Sequence, residues 1–256
     1  MRTLLVIGIG AGDLEYVTIQ AIKAMNRVDT FFVIDKGGDK HELVALRQQI
    51  CDRYITDHPY RWVSVQDPQR DRKAVAYRPA VEDWRRRRAD IFEALIRDEL
   101  GEDGCGGFLV WGDPSLYDST LAIIDDLVAR GTLDLVVEVI PGISSIQALA
   151  AKHHLSLNRV GRPVHVTTGR LLAEGFPEDC EDVVVMLDAE CSFNKLSDEI
   201  RAELDIFWGA YVGTDDEILV AGRLDVVGDE IVELRGAART AKGWIMDTYM
   251  LRRRRR

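Results

Sequence analysis

Short apolar runs alternate with amphipathic runs along most of this 256-residue chain. The apolar runs have the length of buried strands, and the amphipathic runs repeat their hydrophobic positions at helical spacing. Because strands and helices alternate, we expect an α/β fold with mainly parallel strands. The predicted strands span residues 3–9, 30–34, 108–111, 135–140, 164–168, 183–187 and 206–212. The predicted helices span residues 16–27, 40–54, 81–100, 116–130 and 144–153.

Two regions depart from this alternation. Residues 56–80 are polar and contain Pro59, Pro68 and Pro79, so we expect irregular structure there. Towards the end of the chain, short apolar runs are separated by turns that contain glycine, which favours antiparallel pairing. These runs are residues 218–221, 224–227, 231–234 and 244–250.

The change of pattern after Asp113 suggests a domain boundary. We place an N-terminal α/β domain over residues 1–113, a C-terminal α/β domain over 114–251, and a basic tail over 252–256.

The chain is acidic overall, with 43 Asp and Glu against 33 Lys and Arg and a formal net charge of -10. This balance argues against a general nucleic-acid-binding protein, and an anionic ligand would need a local basic patch. The run from Arg85 to Arg88 is not such a patch, because four successive residues go round a full helical turn. We expect a solvated face there, with only the stem of Arg88 on the core.

The four cysteines include no CxxC pair, so the sequence indicates neither a zinc site nor a redox-active pair. This usage fits a reducing cytosol, and we expect a cytoplasmic protein. No apolar run approaches the ~20 residues that a membrane span needs. The first apolar run, residues 4–9, is too short for a signal peptide and leads straight into a glycine-rich loop.

The glycine-rich loop Gly8-Ile9-Gly10-Ala11-Gly12-Asp13 lies between the first predicted strand and helix. That position suits a phosphate-binding dinucleotide loop, and Asp35 stands where a ribose-binding acid would follow. However, Asp13 occupies the place of the third glycine, and its carboxylate would repel a pyrophosphate. A nicotinamide-dependent oxidoreductase is therefore a disfavoured alternative.

The turn Gly112-Asp113-Pro114 also joins a predicted strand to a predicted helix. Glycine lets a ligand approach the main chain, and proline fixes its own φ. Such a turn can present carbonyls and a carboxylate to a cationic ligand, although an isolated turn of this kind is more often only structural. Later strand ends carry the segment Pro141–Ser145, Met186 and the turn around Gly213, where Ser144 or Ser145 can cap a helix or bind a ligand.

In their order and spacing, these motifs are similar to those of the class III, or tetrapyrrole, methyltransferases of cobalamin and sirohaem synthesis. The family pattern GxGPGD followed by Thr resembles Gly8 to Asp13 with Thr18, although Ala11 stands where Pro is usual. The other family motifs resemble Gly112-Asp113-Pro114, Pro141 to Ser145, Met186 and Gly213-Thr214.

The resemblance implies two α/β domains with a trough between them that binds S-adenosyl-L-methionine. It implies no metal, a tetrapyrrole substrate and a homodimer. Carried over position by position, the implied cofactor contacts are Ala11, Gly112, Asp113, Leu116, Ser144, Ser145, Met186, Gly213 and Lys242.

Longer runs, among them LVWGDPSLYDSTL and VIPGISSIQAL, resemble the branch of this family that acts on precorrin-5. That branch methylates carbon 1 of the ring and releases the acetyl group of carbon 20 as acetate. Methylation of a different ring carbon, or a non-catalytic tetrapyrrole- or nucleoside-binding protein on the same fold, remain alternatives.

Polar residues near the motifs are candidates for the remaining roles. Acetate release needs a base and an oxyanion stabiliser, for which Tyr117, Asp118 and His41 are candidates, although each is more often a capping or surface residue. Lys36, at the end of the second predicted strand, is a candidate for binding substrate carboxylates.

Overall fold

The computed structural model describes residues 1–35, 41–56, 58–68 and 77–254, without the side chains of residues 41, 77, 78, 80 and 81. Lys36 and the side chain of His41 therefore lie outside the described part. Contacts divide the chain into two compact units. The first comprises Met1–Gly10 and Leu14–Ser144, and the second comprises Ala11–Asp13 and Ser145–Arg256.

The first unit is built on a parallel five-stranded sheet in the order β3-β2-β4-β1-β5. Its strands are β1 (Arg2–Gly8), β2 (Thr30–Asp35), β3 (Arg61–Gln66), β4 (Cys105–Val110) and β5 (Leu135–Ile140). Its helices are α1 (Ile19–Met25), α2 (His41–Tyr54), α3 (Tyr77–Glu99) and α4 (Thr120–Arg130).

Helices cover both faces of this sheet. In β1, Leu5 and Ile7 belong to one buried cluster with residues of α1 and α2, whereas Leu4 and Val6 belong to a second cluster with residues of α3 and α4. Successive side chains of a strand point to opposite faces, so a strand buried on both faces is a continuous apolar run. This explains why β1 stands out in the sequence.

The second unit contains a mixed five-stranded sheet in the order β6-β7-β10-β8-β9, in which only β6 and β7 run parallel among the described strands. Its strands are β6 (Val164–Thr168), β7 (Asp182–Met186), β8 (Leu204–Ala210), β9 (Ile218–Arg223) and β10 (Asp247–Arg253). Its helices are α5 (Ser145–Lys152), α6 (Gly169–Leu172), α7 (Asp198–Glu203) and α8 (Leu224–Lys242). None of the helices in the described ranges has the length and apolar content to cross a membrane.

The α/β class is confirmed, but two predicted regions are wrong. Residues 56–80 contain β3, which the pattern missed because this edge strand has no fully buried position. Residues 224–242 form the single helix α8 instead of antiparallel strands. Its buried positions, Leu224, Gly228, Ile231 and Arg235, follow helical spacing. Because a glycine and an arginine are among these buried positions, the sequence does not show a continuous apolar stripe.

The division of the chain differs from the predicted boundary after Asp113. Strand β5 pairs with β1 along nearly its whole length, so residues 114–144 belong to the first unit. Residues 11–13 belong to the second unit although they follow β1 directly. Helix α4 begins at Thr120, later than predicted, because the residues after Asp113 form turns.

Candidate functional site

Three glycines bring main chains into direct contact at the carboxyl ends of the neighbouring strands β4, β1 and β5. A Cβ atom at Gly142 would lie 2.1 Å from the carbonyl oxygen of Gly112, and one at Gly8 would lie 2.6 Å from Gly142 N. Gly112 N donates to Gly10 O at 2.8 Å, which pairs the two loops. This edge of the sheet therefore excludes side chains and presents main-chain groups.

Asp113 fastens this arrangement. Its Oδ2 accepts a hydrogen bond from Gly142 N at 2.9 Å, and its Oδ1 accepts from Ser115 N at 2.9 Å and from the Ser115 hydroxyl. Burial by itself would raise the pKa of Asp113, but these hydrogen bonds outweigh it and lower the pKa below its ordinary value. The carboxylate stays ionised and ties the turn after β4 to the loop after β5.

The turn continues through Leu116, whose N–H donates to Asp113 O at 3.2 Å, to Tyr117, which is 44% exposed with φ at 52°. Partial burial raises the pKa of the Tyr117 phenol. The Asp118 carboxylate accepts from Thr120 N at 2.6 Å and so caps the start of α4. This contact supports the structural interpretation of Asp118 as a capping residue.

Positive φ values in residues other than glycine mark several strand ends. Tyr117 follows β4, Leu187 follows β7 with φ at 53°, and Tyr211 follows β8 with φ at 48°. Such backbone is uncommon for non-glycine residues and tends to occur at functional sites. Leu187 is also 66% exposed, which is unusual for an apolar side chain on strained backbone.

In the second unit, the segment Ala11–Asp13 packs against the turn after β8. A Cβ atom at Gly12 would lie 2.6 Å from Val212 O, and Gly12 has φ at 113°. Gly213 N donates to the Glu217 carboxylate at 2.7 Å, and the Thr214 hydroxyl donates to Tyr211 O at 2.8 Å. Two of the predicted cofactor contacts, the buried Ala11 and the half-buried Gly213, thus lie on the two segments that meet here.

Lys242, at the end of α8, forms an ion pair with Asp216 and lies 5.5 Å from the ring centroid of Tyr211. The Tyr211 hydroxyl in turn donates to Trp244 O at 2.6 Å. Lys242 therefore has a structural role in holding the turn after β8.

The remaining predicted contacts lie at element ends. Ser144 is buried and is the last residue of the first unit, whereas Ser145 is half-buried and begins α5 in the second. Met186 is half-buried at the end of β7, where it pairs with Thr248 of β10.

Sequence reasoning missed a buried polar network beyond the end of β7. Asp188 accepts hydrogen bonds from Ser192 N at 2.6 Å and from the Tyr249 hydroxyl at 2.7 Å. Arg235 donates to Asp188 O at 2.8 Å and to the Asp247 carboxylate at 2.9 Å. Burial, together with the negative charge of Asp188, raises the pKa of Tyr249 well above its ordinary value. No local sequence pattern indicates the whole network, because Asp188, Arg235 and Tyr249 come from separate parts of the chain.

Two arginines of the first unit, Arg88 and Arg47, make contacts that bear on the site. Arg88 is 7% exposed, lies 2.8 Å from Asp67 Oδ1 and donates to the Ser119 hydroxyl at 3.1 Å, so its expected place on the core is confirmed. Arg47 of α2 was not foreseen. It donates through Nε to Leu109 O at 3.0 Å and through Nη1 to Leu43 O at 2.7 Å.

Comparison with known proteins gives consistent matches. The family described as Tetrapyrrole (Corrin/Porphyrin) Methylases matches residues 3–227. A protein of Sinorhizobium sp. named precorrin-6A synthase [deacetylating] is 50% identical over 253 residues, which cover 99% of this chain and 96% of that protein.

Solved structures agree with these matches. A putative cobalamin synthesis related protein (CobF) from Corynebacterium diphtheriae has a TM-score of 0.83 at 38% identity, with 99% of each chain covered. A uroporphyrin-III C-methyl transferase from Thermus thermophilus, solved in complex with S-adenosylhomocysteine, has a TM-score of 0.59 at 19% identity, with 97% of this chain and 96% of that chain covered. The second likeness shows the shared fold.

Proposed function

We propose that this chain, which belongs to the tetrapyrrole (corrin/porphyrin) methylase family, methylates carbon 1 of precorrin-5 and releases the acetyl group of carbon 20 as acetate. The product would be precorrin-6A. The observation that carries this proposal is the 50% identity to a precorrin-6A synthase over 99% of the chain. The motif runs quoted from the sequence agree with it.

The proposed methyl donor is S-adenosyl-L-methionine, which supplies a methyl group already activated by its positively charged sulfur. A related fold has been solved with S-adenosylhomocysteine, the demethylated form of this donor. In the first unit, the ionised Asp113 suits a cationic ligand. Hydrogen bonds occupy most of the about four lone-pair positions of that carboxylate. We therefore propose that Asp113 acts mainly by positioning Gly112 and Gly142.

The remaining cofactor contacts are proposals that rest on the family resemblance. They are Ala11, Gly112, Leu116, Ser144, Ser145, Met186, Gly213 and Lys242. The role of the chain would be to align the methyl group with the acceptor carbon and to exclude water.

Acetate release requires addition of water to the acetyl carbonyl, with a base to accept a proton and a donor to stabilise the oxyanion. The bond between carbon 20 and the acetyl carbon then breaks, and its electron pair neutralises the positive charge that methyl transfer adds to the ring. Like an ordinary tyrosine, Tyr117 keeps its phenol protonated near neutral pH, and partial burial raises its pKa further. A protonated phenol suits a hydrogen-bond donor better than a base. Asp118 and His41 stay candidates for the base. A homodimer and a cytoplasmic location, indicated by the resemblance and by the cysteine usage, also stay proposals.

The test is a single-turnover reaction of the purified protein with precorrin-5 and methyl-labelled S-adenosyl-L-methionine. We expect one label in the tetrapyrrole and one acetate released per turnover. Methylation without acetate would contradict the deacetylating activity and leave methyl transfer intact. Calorimetry with S-adenosylhomocysteine and with NAD provides a second measurement, in which binding of NAD alone would overturn the methyltransferase proposal in favour of an oxidoreductase.

A further inference from the structure

The sheet of the first unit divides between β2 and β4. In the described residues, these strands pair only where Thr30 and Phe31 meet Gly106 and Gly107. Beyond that point, β2 stays paired with β3, and β4 stays paired with β1, to the ends of the strands. The carboxyl-terminal halves of β2 and β4 are therefore not hydrogen-bonded to each other.

The helical connections change face at this division. Helix α2, which follows β2, contributes Ile50 to the cluster around Leu5 and Ile7 on one face of the sheet. Helix α4, which follows β4, contributes Ile123 to the cluster around Val6 on the other face. Open α/β sheets bind ligands in the crevice outside the carboxyl ends of neighbouring strands whose connections leave in opposite directions. The carboxyl ends of β2 and β4, where these strands are not paired, form such a position.

Arg47 brings a positive charge to this position. Its Nε donates to Leu109 O, a main-chain acceptor on β4 beyond the last pair with β2. Its Nη1 donates to Leu43 O within α2, and Nη2 has no hydrogen-bond partner among the described residues. The two main-chain contacts fix the guanidinium and leave one of its edges for another partner.

Arg88 shows what a purely structural arginine looks like in the same unit. Its charge is matched by Asp67, and its guanidinium lies 4.6 Å from the ring centroid of Trp84. Arg47 differs, because no carboxylate of the described residues lies within ion-pair distance of it. Asp118 attracts Arg47 only at longer range, while burial lowers the pKa of Arg47.

Arg47 is half-buried as a residue. A guanidinium that lacks a carboxylate in such a place is a ready site for an anion, since a charged hydrogen bond is stronger where water is partly excluded. We infer that Arg47 binds a carboxylate group of the tetrapyrrole substrate at the division between β2 and β4. This inference rests on the proposed function, because that substrate is a macrocycle with many carboxylates.

The experiment compares Arg47→Gln, Arg47→Lys and the wild type. Glutamine can still donate to Leu109 O but carries no charge, whereas lysine keeps the charge and one donor. We expect Arg47→Gln to raise the KM for precorrin-5 about 10- to 100-fold, as for loss of a charged hydrogen bond, with a smaller change in kcat. Arg47→Lys should retain most of the substrate affinity.

Arg53→Gln is the matched control, since Arg53 lies on the same helix but is 46% exposed and paired with Glu15. We expect its KM to equal that of the wild type. The melting temperature and the Kd of S-adenosylhomocysteine are measured for every variant, and both should stay near wild-type values in Arg47→Gln.

The outcomes separate the possible explanations. An equal rise in KM for the glutamine and lysine variants, with a parallel fall in melting temperature, would show that Arg47 has only a structural role through its hydrogen bond to Leu109 O. A raised Kd for S-adenosylhomocysteine with an unchanged KM for precorrin-5 would mean that Arg47 binds a carboxylate of the cofactor instead of the substrate. Unchanged values throughout would overturn the inference alone, whereas a wild-type protein that does not methylate precorrin-5 would overturn the proposed function as well.

Discussion

The strand ends of the two units are held in place by different means. In the first unit, Gly8, Gly112 and Gly142 let the main chains touch, and one carboxylate, that of Asp113, fastens them. In the second unit, side chains from separate elements shape the loop after β7. The first arrangement depends on the absence of side chains at three glycines. The second depends on hydrogen bonds between polar side chains.

This difference determines what each site tolerates. An added methyl group among the glycines has no space to enter, so the backbone must move. A removed partner in the buried network leaves a polar group without a hydrogen bond, which costs about 1–3 kcal/mol, or more when a charge is involved. The following variants test this contrast from the largest expected effect to the smallest.

Gly142→Ala should have the largest effect. Its methyl group would lie 2.1 Å from Gly112 O, so we expect loss of at least about 4 kcal/mol of unfolding free energy or no cooperative folding. The measurement is urea unfolding. Gly101→Ala is the matched control, since a Cβ atom there meets nothing within 4 Å, and it should change stability by less than about 0.5 kcal/mol. Equal stability of the two variants would refute the close-contact argument.

Arg235→Met should follow, with a loss of about 3–5 kcal/mol, because it leaves the buried Asp247 without its cation. Burial already raises the pKa of Asp247 against the pull of Arg235. The double variant Arg235→Met/Asp247→Asn removes the unpaired charge and should recover part of the loss. A double variant that is less stable than the single one would mean that the charge pair is not the main contribution of Arg235.

The same contrast explains how far the sequence could be interpreted. The glycines and Asp113 occur in short strand–turn–helix segments, so their pattern is local and visible. Asp188 and Arg235 are 47 residues apart, and nothing near either of them signals the hydrogen bond that joins them. Arg47 was missed for a similar reason, because its partner is a main-chain carbonyl.

The errors in the predicted fold also occur where the local sequence pattern does not show the structure. Strand β3 is an edge strand whose positions are either exposed or half-buried, so its composition suggested irregular structure. Helix α8 buries Gly228 and Arg235 on its inner face, and these residues interrupt the apolar pattern of a helix. The boundary between the units depends on the pairing of β5 with β1, which is a long-range contact that periodicity does not reveal.

Asp113→Ala should have a smaller effect on stability but a direct effect on the proposed cofactor site. It removes the acceptor of Gly142 N and of Ser115 N, so we expect a loss of about 1–2 kcal/mol. We expect the Kd of S-adenosylhomocysteine to rise about 10-fold, which corresponds to about 1.4 kcal/mol. Ser115→Ala keeps the bond to Gly142 and should change both quantities less. Unchanged affinity with an intact fold would remove Asp113 from the site.

The pH dependence of stability gives a separate test of Asp113. Its pKa is lowered in the folded state, so its contribution is fully present above the unfolded pKa of about 3.9 and is lost as the pH falls through the folded value. Between about pH 4 and pH 2, the wild type should therefore lose more unfolding free energy than Asp113→Ala. Parallel curves for the two proteins would contradict the lowered pKa.

Tyr249→Phe should have the smallest effect at neutral pH. It removes one donor to Asp188, which keeps the N–H group and the hydroxyl of Ser192, so we expect a loss of about 1 kcal/mol. Because the pKa of Tyr249 is raised in the folded state, the unfolded chain loses this proton first, and stability falls as the pH rises above about 10. The phenylalanine variant lacks this contribution, so its disadvantage should shrink in alkaline solution. A disadvantage that stays constant in urea unfolding from pH 7 to pH 11 would contradict the raised pKa of Tyr249.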